Sequence, residues 1–449
     1  MSSTKLSSKS GHTSVPPKAH NTHLTNIRYP YINKWDKTGR YVEFEIGNIH
    51  FSMANAIRRS IISGVKSVGF RNEPYENCTI HIKHNDSPLN NQLLEHRIAM
   101  VPINIADVEK FDCDDHLFVI DVINSTNTNL HITTEDFKIK RISSNTWLSD
   151  KEVRAFFPPD PISGQFALLT KLRPKYYIGG IVKDPKLDKE MQSTFDRSAE
   201  EPVKLYIEAK AVISNGAENG HFNPACCAAY INTVDGETAE VAAKVWIANE
   251  IARQNSIGVT PYSEEKLMKR FMISESQRFF HKNARGEPNL FTYKVESVGV
   301  IPPLVIFHRA IEVVKQKISG FVANLLANNK DIIDAKPSKQ VNGGYDIIVN
   351  NEDDTLGNLV QMHLSLMYAD YMLSDENRLL NFIGYRRTHP LEQKIIFTIQ
   401  PNNKDGNNTL EETIKNIIKP GCQEIVRLLN ILQSELENTP QFINEIKSI

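Results

Sequence analysis

Cysteine is scarce: five in 449 residues (Cys78, Cys113, Cys226, Cys227 and Cys422), with no C-x-x-C pair. That pattern excludes a disulfide framework and a zinc ribbon. The adjacent Cys226 and Cys227, with His221 nearby, lie in an Ala-rich apolar run and read as small hydrophobes rather than ligands. No run approaches about 18 consecutive apolar residues, so no membrane span is expected. The first residues also lack the apolar core of a secretion signal. Charge is nearly balanced, at −1 overall, which argues against a chain built mainly around phosphate contacts. Glycine loops of the G-x-x-x-x-G-K-[ST] or G-x-G-x-x-G kind, which cradle phosphates, are missing too. What remains is an intracellular globular protein of roughly two to four domains, with no metal or cofactor expected.

What is present is one motif written twice. Ser52-Met53-Ala54-Asn55-Ala56-Ile57 near the front is matched by Thr355-Leu356-Gly357-Asn358-Leu359-Val360 near the back. Each copy combines a hydroxyl residue suited to an N-cap, a small residue, an asparagine and an apolar stripe. Each follows a strand-like stretch, 41–46 and 345–349. Two similar halves in one polypeptide can pair with each other.

Residues 1–36, rich in Ser, Thr, Lys, His and Pro, read as a disordered, mildly basic tail. Residues 37–106 begin strand then helix. Met53, Ala56, Ile57 and Ile61 share a face of that helix, Gly64 stops it, and Arg58 and Arg59 leave the face together. A short amphipathic helix at 93–99 leads into a Pro-interrupted strand at Val101-Pro102-Ile103. Across 107–287 the texture changes. Alternating runs at 117–123, 165–169 and 203–213 predict a β-rich insert. Helices over 238–252, with Val241, Val245, Ala248 and Ile251 on one face, and over 263–280 close it.

Residues 288–328 resume with a strand at 291–298 and a long helix. Leu304, Phe307, Ile311, Val314, Ile318, Phe321 and Leu325 recur there at alternating spacings of three and four, a seam that requires a partner helix. The partner lies in 345–449, where Ile414, Ile418, Cys422, Ile425, Leu429, Leu432 and Leu436 repeat the alternation. Pro420 and Gly421 predict a kink or break in it. The polar linker at 329–344 reaches at most about 50 Å, enough to lay the seams side by side.

At this level of detail the chain resembles a known family. Ser52 to Arg59, followed by Leu94-Glu95-His96-Arg97 and Val101-Pro102-Ile103, resembles the dimerisation domain of the α-like subunits of multisubunit RNA polymerases. The likeness is to the third-largest subunit of the eukaryotic enzyme and its archaeal counterpart. Val295-Glu296-Ser297-Val298-Gly299-Val300-Ile301-Pro302 looks like the strand-to-helix junction of that same chain. Asn351 to Leu359 and then Gly384-Tyr385-Arg386-Arg387-Thr388-His389-Pro390-Leu391 are similar to the smaller partner, in its archaeal and eukaryotic forms. The resemblance covers 37–106, 288–328 and 340–437. It thins across the insert, where Leu169-Thr170-Lys171-Leu172-Arg173-Pro174 matches best.

The resemblance implies an α+β fold: two dimerisation modules paired within one chain, with a β-rich insert in the first. It implies a non-catalytic platform on which the two largest polymerase subunits assemble for transcription, joined by small zinc-binding subunits, with no homo-oligomer. Nucleotide addition would belong to the large subunits. Arg58, Arg59 and Arg97 are then expected at contacts with other subunits, and Asn55, Gly357, Asn358, His389 and Pro390 within the fold itself. The four-cysteine zinc loop or iron–sulfur cluster that relatives carry in the insert has no counterpart here. Cellular organisms keep the halves as separate chains whereas large cytoplasmic DNA viruses fuse them. The resemblance therefore points to a viral enzyme of the host cytoplasm (viral factory) and the virion, with the nucleus as alternative.

Nothing in the residues demands catalysis. The acidic run Asp112, Asp114 and Asp115 would be needed as a magnesium cluster in a catalytic subunit, but reads as a solvated loop opening a strand. Glu352-Asp353-Asp354 sits before a helix, where negative charge complements the dipole. The alternative function is a free-standing DNA-binding transcription regulator using the basic tail and the Arg-bearing helix; salt-dependent affinity for duplex DNA would mark it.

Overall fold

The computed structural model describes residues 23–29, 39–126, 128–174, 203–327, 329–374, 377–402 and 409–449. In chain order it begins with β1 (His23–Arg28), β2 (Tyr41–Gly47) and helix α1 (Phe51–Ser63), then β3 (Lys66–Phe70), β4 (Ile80–Asn85) and α2 (Asn91–Ala99). There follow β5 (His116–Asn124), β6 (Leu130–Thr133), β7 (Phe137–Arg141), β8 (Thr146–Trp147), α3 (Asp150–Phe156), β9 (Leu168–Leu172) and β10 (Val203–Asn215). Next come β11 (Ala225–Asn232), α4 (Gly236–Ser256), α5 (Glu264–Ser274), β12 (Leu290–Ser297) and α6 (Pro303–Leu326). The second module holds β13 (Ile333–Pro337), β14 (Tyr345–Asn350), α7 (Asp354–Leu364), β15 (Leu380–Arg387), β16 (Lys394–Pro401), α8 (Leu410–Thr413), α9 (Lys419–Glu437) and α10 (Pro440–Lys447). The class is α+β.

Two antiparallel four-stranded sheets, ordered β1-β2-β12-β11 and β13-β14-β16-β15, belong to the two modules. Helix α6 packs on β2 and β12, and α7 on β15 and β16. Between the sheets the helices meet: α1 with α6, α1 with α7, and α9 with both α6 and α7. Every apolar residue named for the two seams is buried. Lys315 Nζ donates to Gln433 Oε1 at 2.8 Å, and His308 Nε2 lies 2.8 Å from Glu437 Oε1. As numbering rises on one helix it falls on the other, so α6 and α9 run antiparallel.

Pro420 neither breaks nor ends its helix. The turn Ile414–Ile418 is π-helical and joins α8 to α9 without leaving helical geometry. A wide turn before a proline accommodates the ring and the missing N–H. Gly421 serves another purpose: a side chain there would collide with Leu364 of α7, so the glycine lets two helices close on each other.

The expected domain boundaries move. Strand β1 lies inside the expected tail and pairs with β2; residues 1–22 and 30–36 of that tail lie outside the described residues. Strand β13, inside the expected linker, pairs with β14. Strands β3 and β4 join not the first module's sheet but β10, in a six-stranded sheet with β5, β7 and β8. Conversely β11, expected within the insert, pairs with β12 as an edge of the first module's sheet. The chain therefore returns to the first module at Ala225, and α4 and α5 form a separate excursion from it. Val101-Pro102-Ile103 joins no sheet.

Helix α4 buries a different face from the one expected. Ala239, Ala243 and Ile247 face inward while Val241 and Val245 are 66% and 60% exposed. The reason is steric: the small Ala239 and Ala243 admit Phe271 of α5, whose ring centroid lies 5.7 Å from Trp246.

Candidate functional site

The two motif copies build the same local structure, with one correction to the sequence reading. Neither Ser52 nor Thr355 is the N-cap. His50 caps α1, its Nδ1 accepting from Ser52 N at 3.2 Å, and Asp353 caps α7, its Oδ1 accepting from Thr355 N at 2.9 Å. The hydroxyl residues sit one turn position inside, buried at 2% and 7% exposure. A signal that sequence reasoning missed marks the duplication equally well. Asn48 and Asn351, each four positions before the hydroxyl residue, adopt left-handed φ values of 56° and 60°. Asparagine tolerates that region, and the tight turn swings each strand into its helix.

The halves meet through a polar network at the start of α7. Arg59 Nε donates to Thr355 Oγ1 at 2.8 Å and its Nη2 to Asp353 Oδ2 at 3.1 Å, while Lys317 Nζ of α6 donates to Glu352 Oε2 at 2.9 Å. Burial pushes the Asp353 carboxyl up, but the Lys317 charge and hydrogen bonds from Thr355 and Arg59 outweigh it and hold the group below its ordinary range. Arg59 is thus engaged inside the molecule.

Arg58 points elsewhere. Its Nε and Nη2 both donate to Asn55 Oδ1, at 3.1 and 2.9 Å, and it lines a hollow of about 580 Å³ with Phe51 and Tyr230. Arg97 Nη2 donates to Leu168 O at 2.8 Å, tying α2 to β9. The three arginines expected to share one role therefore stand in three environments. Asn55 orients Arg58, and Gly357 lies under the Tyr385 ring. Asn358 is half-buried on α7. His389 Nδ1 accepts from Leu391 N at 3.1 Å in the exposed turn that also holds Pro390.

The termini brace the same helices. Glu445 of α10 accepts from Leu304 N and Val305 N, at 2.9 and 3.3 Å, supplying the first turn of α6 with the acceptors its own backbone lacks. Tyr29 donates to the other oxygen at 2.6 Å. Burial raises the Glu445 carboxyl despite these donors. Leu24 N donates to Glu435 Oε2 at 2.7 Å, so β1 is bound to α9.

At the other side of the contact the His50 and His363 rings lie 6.0 Å apart, centroid to centroid. Burial, and then the neighbouring His363, push His50 down to about 4; Arg285 adds to this and Glu287 opposes it. Burial likewise lowers His363, whose Nδ1 bonds Leu359 O at 2.9 Å. Protonating His50 at Nδ1 removes the acceptor that caps α1. A folded-state pKa below the unfolded value near 6.5 means the unfolded chain binds the extra proton. The stability is therefore complete above about pH 6.5 and is lost as pH falls toward about 4. We expect the wild-type chain to lose about 2 kcal/mol more than His50→Asn between roughly pH 7.5 and 5, because asparagine keeps the cap without titrating. Parallel pH profiles of denaturation midpoints for the two proteins would exclude this account.

The acidic candidates sit in loops. Asp112 Oδ1 accepts from Asp114 N at 3.0 Å and Asp115 Oδ1 from Ser143 N at 2.7 Å. Cys226 and Cys227 are exposed rather than buried as expected, on the bulged start of β11. Among the described residues no three His, Cys, Asp or Glu side chains are grouped as a metal ion requires.

Comparison with known proteins reaches the same regions. A family model described as the RNA polymerase Rpb3/Rpb11 dimerisation domain matches residues 43–318, and a second of the same description matches 345–435. The DNA-directed RNA polymerases I and III subunit RPAC1 of Saccharomyces cerevisiae is 24% identical over 317 residues, covering 62% of this chain and 82% of that protein. A conjugation stage-specific protein of Tetrahymena thermophila is 22% identical over 325 residues, covering 64% of this chain and 93% of its own. The probable DNA-directed RNA polymerases I and III subunit RPAC2 of Caenorhabditis elegans is 39% identical over 109 residues, covering 24% of this chain and 64% of its own.

Proposed function

Because this chain belongs to the family of the RNA polymerase Rpb3/Rpb11 dimerisation domain, we propose that it is a non-catalytic assembly subunit of a DNA-dependent RNA polymerase. Its two modules pair within one polypeptide and offer a joint surface to the two largest subunits and to small zinc-binding subunits. RNA synthesis belongs to those large partners, and this chain supplies no catalytic residue. The observation that carries the reading is the antiparallel contact of α6 and α9, which buries both seams. Each seam residue removed from water contributes roughly 1.5–3 kcal/mol before ordering costs. Joining the modules covalently makes their association intramolecular, at roughly millimolar effective concentration.

Arg59 belongs to the intrachain contact in this proposal, whereas Arg58, held by Asn55 at the edge of an open hollow, faces a partner subunit. The union of both modules in one chain is read as a viral gene fusion acting in the host cytoplasm and carried in the virion; the gene's genomic neighbourhood tests that point. The subunit reading is tested by affinity purification from the native source with identification of co-purifying chains. Two large polymerase subunits in equal amounts are expected. Recovery of the chain alone, with salt-dependent affinity for duplex DNA, would replace the scaffold with a DNA-binding regulator.

A further inference from the structure

The six-stranded sheet of the insert has one closed face and one open face. Phe118, Ile120, Phe137 and Ile139 point into the core with Val153 of α3 and Phe157. The pairing register maps the open side row by row. Glu208, Val119 and Lys138 share one row, and Lys210, Leu117, Lys140 and Trp147 the next. On the other side of Glu208, Tyr206 stands opposite Asp121 and Lys204 opposite Ile123.

The solvated face of an antiparallel sheet is ordinarily polar. This one carries the half-buried Leu117 and the exposed Ile123 on β5, with Val119 almost covered between them at 5% exposure, and Ile123 is 51% and Trp147 54% exposed. Trp147 and Tyr206 help to line a hollow of about 510 Å³, together with Leu117, Val119, Asp121 and Lys138. Apolar surface gathered around two aromatic rings marks an interaction site more often than a solvated wall.

Charge defines what the site accepts. Four lysines stand on this face against Asp121 and Glu208, with Asp86 at its β4 edge, where its carboxylate accepts from Lys204 N at 2.8 Å. Asp121 is bridged by Lys204 at 3.3 Å, and Glu208 accepts from the Tyr206 hydroxyl at 2.5 Å. Lys138, Lys140 and Lys210 have no carboxylate partner among the described residues. Lys140 Nζ lies 5.8 Å from the Trp147 ring centroid and Lys204 Nζ 5.1 Å from that of Tyr206, so the cations and rings present one mixed surface.

We propose that this face of the insert docks an acidic protein segment carrying an aromatic side chain. The segment's carboxylates pair with Lys138, Lys140 and Lys210, and its ring lies in the hollow between Trp147 and Tyr206. Nucleic acid fits less well. Asp121 and Glu208 line the hollow where phosphates would approach, and a net charge of −1 gives the chain no general attraction for a polyanion. The inference stands apart from the assembly role, which uses the other sheets and their helices.

The test uses the full chain carrying Trp35→Phe and Trp246→Phe, so that Trp147 alone of the three tryptophans reports. The probe is a capped heptapeptide, acetyl-Glu-Asp-Phe-Asp-Glu-Phe-Asp-amide. Saturable change in Trp147 emission is expected. Adding Lys138→Gln and Lys140→Gln should weaken binding about tenfold without altering the melting curve, both positions being on the surface. A peptide with serine in place of both phenylalanines should bind at least as weakly. The proposal fails if the heptapeptide leaves Trp147 unchanged, if the serine peptide binds equally, or if oligothymidylate binds as tightly as the heptapeptide.

Discussion

Leu429→Asp is expected to cost at least about 4 kcal/mol and to loosen the two modules from each other. Leu429 is fully buried on α9, one turn before Gln433, whose Oε1 accepts from Lys315. Leu429 belongs to the face of α9 that packs on α6, in one buried core with the α6 seam. Aspartate there removes a large apolar side chain and leaves a carboxylate with no designed donor. Against a total stability of about 5–15 kcal/mol for an ordinary domain, that loss is a large fraction. Leu429→Met keeps volume and apolarity and should cost less than about 1.5 kcal/mol. Denaturation midpoints of the three proteins measure the difference, and partial proteolysis near 338–344 reports whether the modules separate. A Leu429→Asp protein as stable as the methionine variant would show that this seam does not hold the halves together.

The consequence for assembly follows from geometry. Arg59 reaches Asp353 and Thr355 only while α1 lies against α7, and Glu445 meets the first turn of α6 only while α10 is docked. A seam that opens therefore releases a partly buried ion pair and a helix cap as well as apolar surface. The outward surface beside Arg58 is built on α1 and β11, so its shape depends on the same contact. Stability and partner binding should fall together in seam variants, and only partner binding in surface variants.

How much of this was legible in the sequence depended on range. The seams were readable because alternating three- and four-residue spacing is a property of a single helix, and every residue it named is buried. The paired strands before each motif were readable for the same local reason. Sheet partnership was not. Ala225-Cys226-Cys227-Ala228-Ala229 carries no sign that its strand returns to β12, because that choice is made by tertiary packing. Helix α4 offered two apolar stripes, and the alanine stripe won because a neighbouring aromatic fitted against it. Pro420 misled for the opposite reason, a strong local rule overridden by one wide turn. Arg58 and Arg59 are adjacent in sequence, but a helix turns about 100° per residue, so neighbours diverge. One was placed to cross to the other module and its neighbour was left at the surface.

The second large effect is expected at the motif glycine. A Cβ built on Gly357 lies 2.5 Å from Tyr385 Cδ2 and 2.8 Å from Cε2, so the ring rests directly on the helix backbone. Alanine at a helical glycine ordinarily gains about 1 kcal/mol from propensity. Here that gain competes with a collision against a rigid ring, which is itself 6.4 Å from Phe397, centroid to centroid, on the adjoining strand. Gly357→Val adds two further methyl groups, and overpacking of this kind typically costs about 1–3 kcal/mol. Because Tyr385 must swing away from both α7 and β16, we expect about 3 kcal/mol, the upper end of that range. Gly357→Val with Tyr385→Ala should recover part of the loss, since the second change removes the obstacle. Equilibrium unfolding of the single and double variants gives the coupling between the two positions. Strict additivity would mean that the glycine is tolerated for its backbone rather than required for the close approach, and that the motif's Gly-Asn pairing has some other cause.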